Sequence, residues 1–518
     1  MNQTPSTTLR SFATASIRHA VTLRSFFAGL LVPFGFAPIH MPGLAILGIA
    51  LLFAQLSQQT VKQSFRTGFV FGLGFFGLGI SWVYVSIYSY GHLNPPVSAF
   101  VTLIFVAYLA LFPAGVAMLY QRLAAKQSLL FKCFLFSALW CLFEFLRARF
   151  LSGFPWLLLG VGQFDTPLKF LLPIIGVYGV GFITCLAATC LAASVQTSRA
   201  KRSSWIIAFV AILLAPLLLK NHAWTKTGSS EISVGVIQAN ISMRDKWDEY
   251  LFWQILQRYE DEIAKLMGKK QLIVMPESAI PVPMNYVSDF LGSLDMRAKK
   301  AGSAILLGIP ETTTKDDTAY YNTLTALGTA QGSYLKQHLV PFGEFIPKPL
   351  LTLSQWLNVP MANLKSGKRA QSPVTVEGHP IATLICFESA YPHLLRNQLP
   401  LAEWIVSISD DGWFGHSLAV YQHLQMSQAI SMQTGRYQIV ANNDGLSSVI
   451  NTQGEIVDSL PAFSSGILNA SIYPATGSSP WVYLGDMPML LISLLIVLMA
   501  MFGLSPRKNC GIDDQMRF

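Results

Sequence analysis

The stretch IATLICFESAYP, residues 381–392, carries the clearest structural pattern in the polar part of this chain. Its first five residues are mostly aliphatic and uncharged, which predicts a buried β-strand. Cys386 follows directly, and the residues after it predict a turn that leads into a helix. A thiol is therefore expected at the end of a buried strand.

The residues on either side of this stretch alternate between strand and helix patterns, from about 225 to about 480. Strands interleaved with helices predict a layered α/β domain with a core of its own. The predicted strands are 232–238, 271–276, 303–309, 323–327, 333–338, 380–386, 404–409, 438–441 and 447–450, and the predicted helices are 246–268, 286–300 and 417–434.

Long apolar runs lie outside this domain. The chain is 52% hydrophobic and 12% charged, whereas a soluble globular chain is about 25% charged. Most of the runs approach or exceed the roughly 20 residues that a helix needs to cross a bilayer. We expect eight spans, and prolines near the first two favour tilted or re-entrant segments there. The runs are 22–37, 42–57, 67–90, 96–121, 133–150, 168–196, 203–221 and 483–505.

The basic residues orient these spans. Lys and Arg cluster before the first predicted span, after the last, and in alternate loops between, whereas the loops 38–43 and 89–95 carry neither. This positive-inside pattern predicts cytoplasmic termini and an outer, periplasmic location for the α/β domain. It also accounts for much of the net charge of +9, so no nucleic-acid partner is expected. The basic clusters include Arg10, Arg18, Arg24, Lys62, Arg66, Arg122, Lys126, Lys132, Arg199, Lys201, Arg202, Arg507, Lys508 and Arg517.

The resulting domain organisation has three parts. We predict a membrane domain of seven spans over residues 1–224, a catalytic domain over 225–480, and a final span with a cytoplasmic tail over 481–518. One exception to the charge pattern is the outer loop with Arg147, Arg149 and Lys169. Its cations could attract phospholipid phosphate, or they could pair with Glu144 and Asp165.

Glycines in the third run require a separate interpretation. Gly72, Gly74 and Gly77 match the spacing of a dinucleotide-binding loop, but they lie inside an apolar segment with no preceding strand. Gly68 and Gly72 more plausibly allow two helices to approach closely.

Two further segments place charged residues beside buried strands. In LIVMPESAI (272–280), Glu277 follows an apolar run; poor solvation there would raise its pKa and make it a usable base, whereas a solvated strand end would leave it inert. In YLKQHLVPFGEFIP (334–347), Lys336 has apolar neighbours, an unusual setting for an ammonium group without a partner. An exposed edge-strand lysine is the alternative. The proline- and glycine-containing loop after it could hold Glu344 rigidly.

Cys386 has two interpretations of its own. A lone cysteine is often a small buried hydrophobe. An unpaired thiol in an oxidising compartment is instead suspected of being reactive. The other five cysteines lie in or beside apolar or tail segments, and no zinc-type spacing occurs. We therefore expect no metal and no cofactor.

Glu277, Lys336 and Cys386, in this chain order and each beside a strand, resemble the nitrilase superfamily of carbon–nitrogen hydrolases. The resemblance extends through SISDDGWFGHS (407–417) and GRYQIVANNDGLS (435–447), and it implies an αββα sandwich. The spans before and after the domain, together with GFPWLLLGVGQ (153–163), resemble the superfamily's membrane-embedded branch, the apolipoprotein N-acyltransferases.

This resemblance implies a reaction and a set of roles. An acyl chain would pass from a membrane phospholipid, through a Cys386 thioester, to the α-amine of the diacylglyceryl-cysteine of an apolipoprotein. Glu277 would act as general base and acid, Lys336 would stabilise the oxyanion, and Glu344 would support Lys336. The residues implied to contact substrate are Trp247, Phe387, Glu388, Tyr391 and Trp413.

Two rival functions stay open from the sequence. A membrane-tethered amidase of the nitrilase type would use water as the second acceptor. A transporter or receptor would bind a ligand in its outer domain without chemistry, although few charged residues lie inside the spans.

Overall fold

The computed structural model describes residues 21–91, 93–313, 319–346 and 364–504. The predicted basic clusters at Arg10, Arg18, Arg507, Lys508 and Arg517 lie outside the described residues. All eight apolar runs form helices, and the third run, 67–90, contains parts of two of them. These are α1 (Val21–Gly35), α2 (Pro42–Gln55), α3 (Val61–Gly79), α4 (Trp82–Tyr90), α5 (Pro95–Ala124), α6 (Leu129–Arg147), α7 (Leu172–Gln196), α8 (Arg199–Leu214) and, near the end of the chain, α14 (Met487–Met501).

The lengths of these helices differ. In the described part of the chain, four helical segments are long and apolar enough to cross a membrane: Pro95–Ala124, Leu129–Arg147, Pro167–Gln196 and Arg199–Leu219. Helices α3 and α4 form a pair bent by 58°, which would make a fifth if the pair is one span. Helices α1, α2 and α14 are apolar but shorter. The predicted apolar runs are therefore helical, and irregular segments such as 153–159 lie between them.

Close packing between α3 and α5 confirms the interpretation of the glycines. A β-carbon on Gly68 would lie 2.4 Å from the carbonyl oxygen of Pro113, and one on Gly72 would lie 2.6 Å from the Cα of Ala110. Only a residue without a side chain permits such contact, so these glycines bring the two helix backbones together.

The polar region contains two large sheets and one small one. The six-stranded sheet has the order β14-β2-β3-β4-β5-β7, the seven-stranded sheet has the order β13-β12-β11-β10-β9-β8-β6, and β1 pairs with β15. The strands are β1 (Thr225–Thr227), β2 (Ile232–Gln238), β3 (Leu272–Val274), β4 (Ala304–Thr312), β5 (Tyr320–Gly328), β6 (Ala330–Gln331), β7 (Ser333–Leu335), β8 (Val374–Val376), β9 (His379–Ile385), β10 (Trp404–Ser409), β11 (Gln438–Asn442), β12 (Ser448–Ile450), β13 (Ile456–Ser459), β14 (Gly466–Ile472) and β15 (Ala475–Gly477).

Among the described residues, five helices accompany these strands: α9 (Met243–Lys246), α10 (Phe252–Leu266), α11 (Ser288–Ala301), α12 (Ala419–Thr434) and α13 (Pro480–Leu484). Alternate residues of a strand face opposite sides of the sheet. Leu272 and Val274 of β3 accordingly share a core with Val406 of the other sheet, whereas Ile273 packs with residues of α10 and α11. Ile405 in turn packs with α12. The region is an αββα sandwich.

Helix α12 is buried on nearly all sides because it lies between the seven-stranded sheet and α7 of the apolar region. The sandwich therefore rests directly on the apolar helices. Its buried positions include polar residues such as Gln422, His423 and Gln425, which require partners inside the protein.

The structure corrects the predicted helix 246–268, which is interrupted between Lys246 and Phe252. Lys246 is 1% exposed and pairs with Asp410, so it fixes the end of α9 against the sandwich before α10 begins. Every predicted strand is present, with ends shifted by up to three residues. The short strands β1, β6, β8, β13 and β15, and the longer β14, were not predicted.

Candidate active site

Cys386 is the first residue after β9, at the start of a 3₁₀ turn over Cys386–Ala390. Its φ of 54° lies in the left-handed region, which side chains other than glycine rarely adopt. Such a conformation persists only where neighbouring groups hold it, and it often marks a functional position. The side chain is nearly buried, with 8% of the residue exposed.

Glu388 fixes this turn from inside. It is completely buried, and its carboxylate accepts hydrogen bonds from the N–H groups of Ile385 at 2.8 Å, Gln337 at 2.7 Å and His338 at 3.0 Å. The Tyr334 hydroxyl donates to both oxygens at 3.2 Å. The carboxylate thus ties the turn over Cys386–Ala390, here called the nucleophile turn after the predicted role of Cys386, to the segment that follows β7. Since protein donors occupy both of its oxygens, the structure does not place Glu388 on a substrate surface.

Lys336 lies between two carboxylates. Its ammonium nitrogen is 3.2 Å from Oε1 of Glu277 and 2.7 Å from Oε1 of Glu344. Only 1% of Lys336 is exposed, so it is buried rather than at an exposed strand edge. The N–H of Val340 donates to Oε2 of Glu344 at 2.8 Å, and this bond holds the supporting carboxylate within its own loop.

Glu277 is held by a separate set of donors. The side-chain amide of Asn322 donates to Oε1 at 2.6 Å, and the N–H of Asp410 donates to Oε2 at 3.1 Å. Asn322 also approaches Glu344 at 3.3 Å. The sequence pattern did not single out Asn322, whose one signal is an amide within the apolar strand β5. These bonds orient Glu277 in a pocket where only 6% of the residue is exposed.

The electrostatics of the pocket favour a neutral thiol at rest. Burial and the negative charge of Glu277 raise the pKa of Cys386 well above its usual value, and Lys336 opposes them only in part. Burial lowers the pKa of Lys336, but Glu277 and Glu344 outweigh it, so the pKa is raised and the ammonium stays charged. Within the described part of the chain, no group of three or more His, Cys, Asp or Glu side chains could hold a metal ion.

A loop from the apolar region contacts the residues that follow Cys386. The ring of Trp156 stacks on Phe387, with centroids 6.4 Å apart. The hydroxyl of Tyr391 donates to the carbonyl oxygen of Gly153 at 3.1 Å. Phe387 and Tyr391 are 7% and 4% exposed. The residue after the thiol therefore meets the apolar region directly.

The two remaining predicted contact residues lie toward the surface. Trp247 is 53% exposed and follows Lys246, whose side chain pairs with Asp410 and donates to the carbonyl oxygen of Glu277 at 3.3 Å. Trp413 is 40% exposed, and its ring meets that of Tyr90 at 5.1 Å, edge to face. Both are exposed enough to be available to a bulky ligand.

Two family models and several relatives match this chain. A model described as the apolipoprotein N-acyltransferase N-terminal domain matches residues 28–190, and one described as carbon-nitrogen hydrolase matches residues 233–479. The chain is 36% identical over 482 residues to the apolipoprotein N-acyltransferase of Coxiella burnetii, which covers 91% of this chain and 98% of that protein. The chain belongs to the apolipoprotein N-acyltransferase family.

A second relative and one solved structure are also similar to this chain. This family member is 35% identical over 489 residues to the apolipoprotein N-acyltransferase of Pseudomonas paraeruginosa, covering 93% and 95% of the two chains. Its similarity to a carbon-nitrogen hydrolase from Helicobacter pylori G27 has a TM-score of 0.36 at 16% identity, covering 55% of this chain and 99% of the other. The two matching family models fall on the apolar helices and on the sandwich.

Proposed function

We propose that this chain transfers an acyl chain from a membrane phospholipid to the α-amine of the diacylglyceryl-cysteine of apolipoproteins. The relatives' names support lipoprotein N-acylation. The main support for the proposed acyl-transfer chemistry is the position of Cys386. It lies in a strained turn beside a buried lysine that two carboxylates hold.

In the first half-reaction, Glu277 takes the proton of Cys386 as the sulfur attacks the ester carbonyl of the phospholipid. The raised pKa of Cys386 means that deprotonation accompanies attack and does not precede it. The ammonium of Lys336 and the N–H of Phe387 stabilise the oxygen that becomes negative. The carbon–oxygen bond then breaks, and protonated Glu277 returns its proton to the departing lysophospholipid oxygen.

In the second half-reaction, the α-amine of the acceptor attacks the thioester carbonyl. Glu277 takes a proton from the attacking nitrogen, the carbon–sulfur bond breaks, and the sulfur of Cys386 regains a proton. The product is an amide. Because two substrates react in turn at one nucleophile, the kinetics are ping-pong.

Substrate contacts follow from exposure and position. We propose that Phe387 and Tyr391 border the acyl chain near Trp156, and that the exposed Trp247 and Trp413 contact the bulkier parts of the lipids. Glu388 is proposed as a positioning residue, since its carboxylate already accepts four protein donors.

We also propose an arrangement in the membrane. Eight spans, cytoplasmic termini and a periplasmic sandwich would give a membrane domain over 1–224, a catalytic domain over 225–480 and a final span with a tail over 481–518. The helical state of all eight apolar runs supports this. Both lipid substrates would then react near the outer surface of the inner membrane. Reporter fusions after residues 126 and 270 would give the topology, and a cytoplasmic signal at 270 would reject it.

One experiment tests the chemistry. Purified protein is incubated with a diacyl phospholipid in detergent micelles and examined by intact-mass spectrometry, alongside Cys386→Ala and the control Cys190→Ala, a cysteine on α7. We expect an acyl adduct in the wild type and in the control alone. An adduct that survives Cys386→Ala would reject the proposed nucleophile.

A second addition separates transfer from hydrolysis. A diacylated lipopeptide should discharge the adduct and become an N-acyl amide. Release of free fatty acid with no amide would favour the amidase-like alternative, in which water is the acceptor.

A further inference from the structure

His423 lies in the middle of α12 and is 4% exposed. Its Nδ1 is 2.9 Å from Oδ1 of Asp411, and its Nε2 is 3.1 Å from the carbonyl oxygen of Cys386. The rings of Trp156 and Phe414 pack against the imidazole, with centroids about 6 Å away, at 6.0 and 6.1 Å. A buried histidine is thus bonded directly to the backbone of the nucleophile.

The two partners decide where the imidazole carries hydrogen. A carbonyl oxygen can only accept, so Nε2 must hold a proton to bond Cys386. Asp411 accepts a bond from the Ser409 hydroxyl at 2.8 Å on the same oxygen that faces His423, so this oxygen acts as an acceptor there. The pair therefore keeps Nε2–H directed at Cys386 and holds a second proton at Nδ1.

The charged groups around the imidazole of His423 favour the form with a proton on both nitrogens. The groups that face it are Asp411 on the turn after β10, Cys386 on the nucleophile turn and, farther off, Glu277. Burial lowers the pKa of His423, but Asp411 and the bond to Cys386 outweigh it and raise the pKa above its usual value.

The carbonyl of Cys386 and the N–H of Phe387 belong to one planar trans peptide group, in which they point in opposite directions. Whatever fixes the carbonyl therefore fixes the direction of the N–H. Phe387 lies in the first turn of its 3₁₀ helix, where N–H groups lack an acceptor within the helix. A charged donor on the carbonyl also polarises the peptide group and strengthens its N–H as a donor.

We propose that His423, held by Asp411, is a positioning residue that aims the Phe387 N–H at the oxyanion by binding the Cys386 carbonyl. The inference rests on the proposed function, since it assigns the Phe387 N–H to the tetrahedral intermediate. It explains how Cys386 keeps a left-handed backbone without being glycine.

The same helix carries contacts to the apolar region. Nε1 of Trp156 donates to Oε1 of Gln422 at 2.6 Å, and the amide of Gln422 donates to the carbonyl of Gly79 at 3.3 Å. His423 therefore joins the nucleophile turn to an element that is itself bonded to the apolar helices.

The test compares two reactions of Cys386. Acylation by an ester passes through an oxyanion, whereas alkylation by iodoacetamide displaces iodide and forms none. We expect His423→Asn to slow acyl-enzyme formation by about 10²-fold, the usual effect of losing one oxyanion donor. Alkylation at the same pH should stay within about threefold of the wild type. A purely structural role, or a role as the base, would slow both reactions together.

Two further variants sharpen the result. The amide nitrogen of Gln reaches the place of Nε2, whereas that of Asn reaches only the place of Nδ1, so His423→Gln should recover much of the acylation rate. His379→Gln is the matched control, since His379 pairs with Glu403 at the opposite end of β9. Acylation is measured with phosphatidylethanolamine–phosphatidylglycerol micelles and with p-nitrophenyl butyrate.

Each outcome bears on one proposal. If the wild type acylates and His423→Asn matches it, or loses alkylation in parallel, the role of His423 is rejected while the acyltransferase stands. If the wild type accepts the small ester but not the phospholipid, the donor is rejected, and the small ester still decides the role of His423. If Cys386 reacts with neither ester, both proposals fail.

Discussion

Two buried charged clusters in this chain differ in what surrounds the cation. In the sandwich, Lys336 faces the carboxylates of Glu277 and Glu344. In the apolar region, Arg147 at the end of α6 is 2% exposed and donates to the carbonyl oxygens of Phe154 at 2.7 Å and Trp156 at 2.6 Å.

Glu144, one turn before Arg147, completes the second cluster. It accepts the N–H of Leu159 at 2.9 Å, and no ion pair with Arg147 forms within 4 Å. Asp165 pairs with His40 at 2.7 Å and not with Lys169. The ion-pairing alternative for this loop therefore does not hold at Glu144 and Asp165, and the phosphate alternative applies only to the exposed Arg149 and to Lys169, since Arg147 is buried.

The clusters around Arg147 and Lys336 therefore use buried charge in two different ways. Irregular backbone among apolar helices needs internal hydrogen-bond partners, and Arg147 and Glu144 supply them to the 153–159 loop. The Lys336 cluster instead satisfies charges with charges, and under the proposed mechanism its ammonium stabilises the new negative charge of the oxyanion. The cluster of Arg147 and Glu144 holds the loop whose Trp156 packs against Phe387. The cluster of Lys336, Glu277 and Glu344 lies within the pocket itself.

The strongest effect on activity should follow loss of the central ammonium. Lys336→Met leaves two facing carboxylates and removes one oxyanion donor, so acyl-enzyme formation should fall by about 10²–10³-fold. Rapid-quench mass spectrometry of the Cys386 adduct measures the rate. A loss below tenfold would mean that Lys336 contributes little to the transition state.

Removal of Arg147 should act through structure. Arg147→Met leaves the carbonyls of Phe154 and Trp156 without their donor, and a hydrogen bond to a charged group contributes about 1.5–3 kcal/mol. We expect a lower melting temperature in detergent and an acylation rate reduced about tenfold as Trp156 shifts from Phe387. Lys201→Met, an exposed cation on α8, is the control. An unchanged melting temperature would contradict the bracing role.

The pH dependence of Cys386 alkylation should distinguish the charges in the pocket. Because Glu277 raises and Lys336 lowers the pKa of Cys386, Glu277→Gln should move the alkylation profile to lower pH. Lys336→Met should move it to higher pH. The wild-type rate should still rise at pH 9, since the pKa of the thiol lies above its usual value. Shifts of the same sign in both variants would refute this assignment.

A smaller effect is expected from His338, whose ring lies 3.8 Å from that of Tyr391. Burial and then Lys336 lower its pKa from 6.5 to about 4. The unfolded chain therefore takes up this proton first, and stability present above pH 6.5 is lost as the pH falls toward 4.

At pH 5 this loss is on the order of 1–2 kcal/mol. His338→Phe should reduce the drop in apparent melting temperature between pH 7.5 and pH 5. An equal drop in both proteins would place the acid sensitivity elsewhere.

Much of the sandwich could be predicted because its strands are continuous apolar runs. The run before Glu277 and the run before Cys386 both proved to be buried strands, whereas the exposed edge-strand setting considered for Lys336 proved wrong. Asn322 and His423 were missed, since one polar residue within a strand or helix has no periodic signal. The break after Lys246 was missed for a similar reason: its partner Asp410 is distant in sequence.

The sequence by itself determined the two-part composition, the helical state of the apolar runs and the order of Glu277, Lys336 and Cys386, because periodicity and charge are local properties. Only the tertiary structure decided which groups satisfy one another. It gave Lys336 two carboxylates, gave Arg147 two carbonyls, and joined His423 to a cysteine 37 positions away. Buried polar groups require partners, and packing alone brings distant partners together.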